Sequence, residues 1–162
     1  MMDEPAAPAN PGVRFPPLLL FVAGLVAGWA LDRYVVHLPL LPVGVQRIAG
    51  VAGPVLVVAG LAIILWGVLT FRRARTGIYP TQPASRIVYA GPYRFTRNPM
   101  YTGMLAAYLG GMLLARTAWP LLLLPAVLLL LQHFVISREE RYLEAEFGAE
   151  YHEYRQRVRR WL

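Results

Sequence analysis

The chain has 162 residues, of which 57% are hydrophobic and only 15% charged, where a soluble domain carries roughly 25% charged residues; much of it is therefore not in water. The net charge is +7 and all sixteen basic residues are arginine, an excess that in so apolar a chain reads as membrane-flanking loops rather than a nucleic-acid footprint. There is no cysteine, which excludes disulfides, thiolate metal sites and cysteine nucleophiles.

Residues 1–15 are rich in proline and alanine and read as a flexible tail. The first apolar block, residues 16–36, lacks a basic segment close to the start and a small-residue cleavage site, so it reads as a transmembrane helix rather than a signal peptide. The second block, residues 48–71, is long enough to cross a bilayer and stops at Arg72 and Arg73. Its Gly50, Gly53, Gly60 and Gly67 are expected to let a neighbouring helix approach closely. A polar connection over residues 72–99 carries six arginines among turn-forming glycines and prolines. The third block, residues 100–115, is short for a full span. A brief turn at Arg116 and Thr117 leads to the fourth, residues 118–136, and predicts an antiparallel helical hairpin. From Ser137 the chain is charged and helical in pattern, with a break near Gly148. The predicted fold is all-α: a multi-pass integral membrane helical bundle of about four spans with a cytoplasmic C-terminal helix. Residues 16–71 are the first two spans, 72–99 a cytoplasmic connection, and 100–162 the catalytic hairpin and C-terminal helix.

The arginines predict the orientation. With four spans, the N-terminus, the 72–99 connection and the C-terminal tail share one side. That side holds thirteen arginines: Arg14, Arg72, Arg73, Arg75, Arg86, Arg94, Arg97, Arg138, Arg141, Arg155, Arg157, Arg159 and Arg160. The other side holds three, Arg33, Arg47 and Arg116. Cytoplasmic loops carry the excess of basic residues, so both termini are expected in the cytoplasm and the protein in a bacterial inner membrane. No internal repeat is evident, which weakens an inverted-repeat transporter reading. Asp32 and Arg33 read as interfacial residues and His133 as a helix-packing residue. Three isolated histidines make no metal site.

The polar groups converge on the cytoplasmic ends of the third and fourth blocks. One segment is Gly91-Pro92-Tyr93-Arg94-Phe95-Thr96-Arg97-Asn98-Pro99-Met100-Tyr101-Thr102-Gly103. Pro99 suits the first turn of a helix, with Asn98 before it as N-cap. A helix N-terminus attracts anions, and Arg94 and Arg97 add positive charge beside it. Gly103 would let a flat ligand approach the backbone. The other segment is Arg138-Glu139-Glu140-Arg141. The hairpin brings the two together, a combination suited to a zwitterionic ligand bearing a nucleoside. The blander alternative is a juxtamembrane basic loop beside a solvated helix.

The first segment resembles the GPYRxxRHPxYxG signature of the isoprenylcysteine carboxyl methyltransferase and phospholipid methyltransferase superfamily. Glu139-Glu140, then Phe147-Gly148, Tyr151, Tyr154, Val158 and Trp161-Leu162, resemble its C-terminal ending. The resemblance covers about residues 86–162, nearly half the chain. It implies a helical membrane enzyme that binds S-adenosylmethionine without a Rossmann domain, in keeping with the lack of a glycine-rich strand–turn–helix motif. It also implies cofactor contacts at Asn98, Pro99, Tyr101, Gly103, Glu139 and Glu140, with Arg94 and Arg97 as further candidates and Tyr151 and Tyr154 packing the covering helix. The chain departs from the signature at Asn98, usually histidine, and at Arg159, usually proline.

Methyl transfer to a lipophilic, membrane-resident acceptor is the expected reaction. A carboxylate acceptor is already anionic and needs an arginine to orient it, for which Arg138 and Arg141 are the candidates. An amine acceptor must lose a proton, which Glu139 could accept. An arginine one turn before Glu139 would favour a carboxylate, but Val135 stands there. Tyr108-Leu109-Gly110 looks like the phospholipid branch, whereas the Phe-Gly-x-x-Tyr-x-x-Tyr ending looks more like the isoprenylcysteine branch. The family label leans to isoprenylcysteine carboxyl O-methylation, with phosphatidylethanolamine N-methylation as the alternative and a non-enzymatic membrane scaffold as a further one.

Overall fold

The computed structural model describes residues 10–13, 16–40, 46–77 and 84–161. The expected tail falls largely outside them, as does Arg14. Among the described residues five helices follow in order: α1 (Pro17–Tyr34), α2 (Gln46–Ala74), α3 (Pro99–Ala115), α4 (Trp119–Leu131) and α5 (Ser137–Arg157). A 3₁₀ turn at Gly91–Arg94 precedes α3, and a π turn at Gln132–Ile136 joins α4 to α5. Among the described residues there is no strand, only one isolated bridge between Pro39 and Thr117.

Among the described residues three helices are long and apolar enough to cross a membrane, Pro17–Tyr34, Gln46–Ala74 and Trp119–Arg157, whose most apolar 18-residue stretches have mean hydropathies of 1.3, 2.6 and 2.1. The third is α4 running through the π turn into α5. At 17 residues, α3 is about 26 Å long at 1.5 Å per residue, a little short of a hydrocarbon core of about 30 Å. The outward faces of α1 and α2 carry exposed apolar side chains such as Val26, Val55, Leu61 and Leu65, as a lipid-facing surface requires.

The glycines decide which helices meet. Antiparallel α2 and α3 pack backbone to backbone through two reciprocal pairs seven residues apart. A Cβ on Gly110 would lie 2.6 Å from the Gly53 carbonyl oxygen, and one on Gly103 would lie 2.6 Å from that of Gly60. A seven-residue repeat keeps one seam facing its partner. Gly67 packs on Met100 in the same way, whereas Gly50 faces open space. Of the four glycines expected at a helix interface, three are there.

Large side chains, not glycines, fill the space between α3 and α4. Phe21, Tyr101, Tyr108, Val127, Leu131, Val135 and Ile136 form one buried cluster drawn from α1, α3 and the α4–π segment. The Tyr108 hydroxyl donates to the Pro120 carbonyl at 2.6 Å. The hairpin therefore closes through side chains, and α1 seats its Gly24 and Gly28 against Val127 and Pro120. At the far end, Asp32 accepts hydrogen bonds from the Leu38 backbone N–H and the Thr117 hydroxyl, both at 2.8 Å, and pairs with His37 at 2.9 Å. This ties the chain after α1 to the α3–α4 turn, where Arg116 takes a left-handed backbone (φ 56°). Asp32 thus serves as a structural clasp. His133 is exposed and, among the described residues, stacks edge-on with its neighbour Phe134, so it does not pack between helices as expected.

The π turn places the chemistry. It inserts one extra residue into the helix, and the Ser137 hydroxyl satisfies the Gln132 carbonyl at 2.7 Å. Such single π turns recur at functional sites. Here the added rotation turns Glu139 and Glu140 inward toward the N-terminal end of α3. At Gly148 (φ 48°, ψ −117°) α5 kinks, so that Tyr151 and Tyr154 pack on Ile87 from the segment before α3.

Candidate active site

A cavity of about 590 Å³ opens at the arginine-rich end of the bundle, within the range of small-molecule pockets. Its apolar wall comes from α1 and α2, with Leu18, Ile64 and Val68; its polar end comes from Arg97, Asn98, Glu139 and Glu140; tyrosines 93, 101, 142, 151 and 154 line the space between.

The segment before α3 is folded tightly. Gly91 has φ +58°, and a Cβ there would strike the Thr70 hydroxyl, so glycine is needed for two reasons. The 3₁₀ turn then buries Tyr93, whose ring meets Phe71 edge-on with centroids 4.8 Å apart. Its backbone carbonyl accepts from the Tyr154 hydroxyl at 2.7 Å. Asn98 stands at the N-cap of α3 but makes no side-chain cap. It donates from Nδ2 to the Arg160 carbonyl at 3.1 Å instead, so it holds the C-terminal segment rather than the helix end.

The two adjacent glutamates live in different surroundings. Glu140 pairs with Arg97 Nη1 at 3.1 Å and bidentately with Arg160, at 2.9 Å from Nε and 2.7 Å from Nη2. Glu139 makes no ion pair among the described residues; its Oε1 accepts from the Tyr101 hydroxyl at 2.6 Å. Glu139 follows the apolar part of its helix and faces the cavity. Removal from water pushes its carboxyl up from 4.5 to about 7, the nearby Glu140 charge adds to the rise, and the Tyr101 hydrogen bond partly offsets it. Divergent environments for neighbouring carboxyls are how a site separates proton transfer from charge pairing. Among the described residues two buried polar atoms have no partner, the Tyr93 hydroxyl and Arg97 Nε. Natural structures rarely leave such groups unpaired, and a ligand is one explanation.

The structure brings Arg97, Asn98, Pro99, Tyr101, Glu139 and Glu140 to one cavity. The remaining sequence candidates lie elsewhere. Gly103 faces Gly60 and Ile64 on α2, so it serves helix packing and does not line this cavity. Arg94 is exposed and lies over the Phe95 ring, 5.5 Å from its centroid. Arg138 donates to the Gly12 carbonyl at 2.9 Å, and Arg141 donates to the Ser137 carbonyl at 3.1 Å. Neither lines the cavity, because the helical turn that aims residues 139 and 140 inward turns 138 and 141 away. Sequence reasoning missed Tyr93 and Arg160. Arg160 looked like one more tail arginine, and the only signal was its place in the Arg-Trp ending.

A family model described as phospholipid methyltransferase matches residues 48–150, more than half of the chain. An uncharacterized protein of Haemophilus influenzae is 57% identical over 35 residues, which are 22% of this chain and 56% of that protein; the match thus spans about half of the relative's length. No solved structure matches the chain.

Proposed function

The chain belongs to the phospholipid methyltransferase family, and from that premise we propose that it is an integral membrane methyltransferase that methylates the amine headgroup of a lipid-like acceptor with S-adenosylmethionine as donor. The cavity residues fit that donor. The partnerless Tyr93 hydroxyl and Arg97 Nε offer hydrogen bonds, the tyrosine walls suit a flat base, and the Arg97, Glu140 and Arg160 cluster suits an amino-acid end. Bound there, the donor supplies a methyl group on positively charged sulfur.

Glu139 carries the choice of acceptor. An ammonium headgroup must lose a proton before its nitrogen can take a methyl group. Glu139 is placed to accept that proton at Oε2, while Tyr101 holds Oε1. Its raised pKa, near 7, makes it a better base than an ordinary surface glutamate. A carboxylate acceptor would meet this unpaired glutamate and be repelled, and Arg97 at the polar end of the cavity already pairs with Glu140. The apolar wall of Leu18, Ile64 and Val68 suits an acyl or prenyl tail, and excluding water protects the transfer.

Methyl transfer from labelled cofactor should proceed to phosphatidylethanolamine and fail with short water-soluble analogues of the same headgroup. Equal transfer to tail-less analogues would overturn the membrane acceptor. Preference for prenylcysteine analogues, with a rate flat from about pH 6 to 8, would assign the chemistry to a carboxylate instead. The arginine asymmetry supports a cytoplasmic site with both termini on that side. A reporter fused after Leu162 should then read out as cytoplasmic, and a periplasmic signal would reverse the topology.

A further inference from the structure

We propose that Arg160 is a positioning residue of the cavity, holding Glu140 and the C-terminal segment across its polar end so that a net positive charge faces the amino-acid part of the methyl donor. The inference rests on the S-adenosylmethionine reading above and goes beyond it to a residue that the sequence did not single out as a site residue.

The chain leaves α5 at Val158, which is extended (φ −121°, ψ 128°), and turns back onto the segment before α3. The Arg159 carbonyl accepts from the Arg97 backbone N–H at 2.9 Å. The Arg160 carbonyl accepts from the Thr96 hydroxyl at 2.9 Å and from Asn98 Nδ2 at 3.1 Å. The Arg160 guanidinium grips both oxygens of Glu140. Trp161 packs against the core cluster that includes Val13 and Tyr101. Three consecutive residues thus fasten the tail to the segment that supplies Arg97 and Asn98 to the cavity. Asn98 and Arg159, the positions that depart from the family signature, both lie on this contact.

The charges define what the clasp does. Two guanidiniums and one carboxylate leave one net positive charge at a site where the Arg97 and Glu140 side chains are only 10% and 14% exposed. Glu140 accepts two hydrogen bonds from Arg160 and forms an ion pair with Arg97 Nη1, which donates to Tyr151 at 3.4 Å, and Arg97 Nε is buried with no partner among the described residues. Spare donors with net positive charge favour a carboxylate. Without Arg160, Glu140 would neutralise Arg97 and the preference would vanish. Arg160 itself is 40% exposed and does not line the cavity, so it acts through Glu140.

The test compares two probes on the full chain in detergent: S-adenosylhomocysteine, and 5′-methylthioadenosine, which keeps the nucleoside and lacks the amino-acid end. Arg160→Gln should weaken S-adenosylhomocysteine about tenfold and leave 5′-methylthioadenosine within about twofold, one charge-assisted interaction being worth roughly that factor. Arg160→Lys should recover part of the loss. Arg157→Ala, which removes a charge from the same tail in an exposed pair with Glu153, should change neither affinity. Glu140→Gln with Arg160→Gln should bind no more weakly than Glu140→Gln alone. Thermal unfolding of each variant shows that it is folded. Equal losses for both probes would make Arg160 a general structural residue, and unchanged S-adenosylhomocysteine affinity would remove it from the site; either overturns the proposal. Failure of the unsubstituted protein to bind either probe would instead overturn the donor reading on which the proposal stands.

Discussion

Glu139→Gln is expected to lower methyl transfer about 10²- to 10⁴-fold, the usual contribution of a positioned general base. S-adenosylhomocysteine should bind with unchanged affinity, because glutamine keeps the shape and can still accept the Tyr101 hydrogen bond. In the unsubstituted protein the rate should rise with pH through about 7 as Glu139 ionises. The same group bears on stability, with the opposite sense. Its pKa is higher folded than unfolded, so the folded state holds the proton more tightly. Stability from this group is complete below pH 4.5 and declines as pH rises toward about 7. Glu139→Gln should therefore flatten the fall in melting temperature between about pH 4.5 and 7. Turnover within threefold of the unsubstituted enzyme would show that Glu139 is not the base.

Gly103→Val should destabilise the bundle more than any single change on the lipid-facing surface. A Cβ at 103 would stand 2.6 Å from the Gly60 carbonyl oxygen, 2.8 Å from Ile64 Cγ1 and 3.2 Å from the Ile64 backbone nitrogen. Backbone atoms cannot move aside as a flexible side chain can, so α2 and α3 must separate along their closest contact. Overpacking typically costs about 1–3 kcal/mol, and the loss here belongs at or above the upper end. Gly50→Val is the control, since nothing lies within 4 Å of a Cβ there, and its melting temperature should stay within a few degrees. The measurement is thermal unfolding in detergent. It also separates two roles for Gly103: a ligand-contacting glycine would lose S-adenosylhomocysteine affinity on Gly103→Ala with little change in stability, whereas a packing glycine loses stability first.

The contrast between Gly103 and its neighbours on α3 illustrates how far sequence reasoning reaches. Tyr101 and Gly103 stand two residues apart in one motif, yet they point about 200° apart around the helix at 100° per residue. Tyr101 reaches Glu139 and Gly103 meets Gly60. A motif read as a string assigns both to the ligand, because it does not say which face looks inward.

Hydrophobic runs and their breaks sufficed to determine the helices, because crossing a bilayer demands long apolar segments whose backbone bonds are satisfied within the helix. The proline at the start of α3 and the kink at Gly148 were legible for the same local reason. Arginine counts and the two motif segments were enough to predict the arginine-rich end as the place for chemistry. The tertiary structure alone decided that α3 pairs with α2 through glycines, that a π turn rotates Glu139 and Glu140 inward while turning Arg138 and Arg141 away, and that Arg160 returns to grip Glu140. Each of these depends on groups distant along the chain. Glu139 and Glu140 are adjacent and chemically identical, and local sequence gives them one environment; only the fold places Tyr101 beside the first and two arginines beside the second.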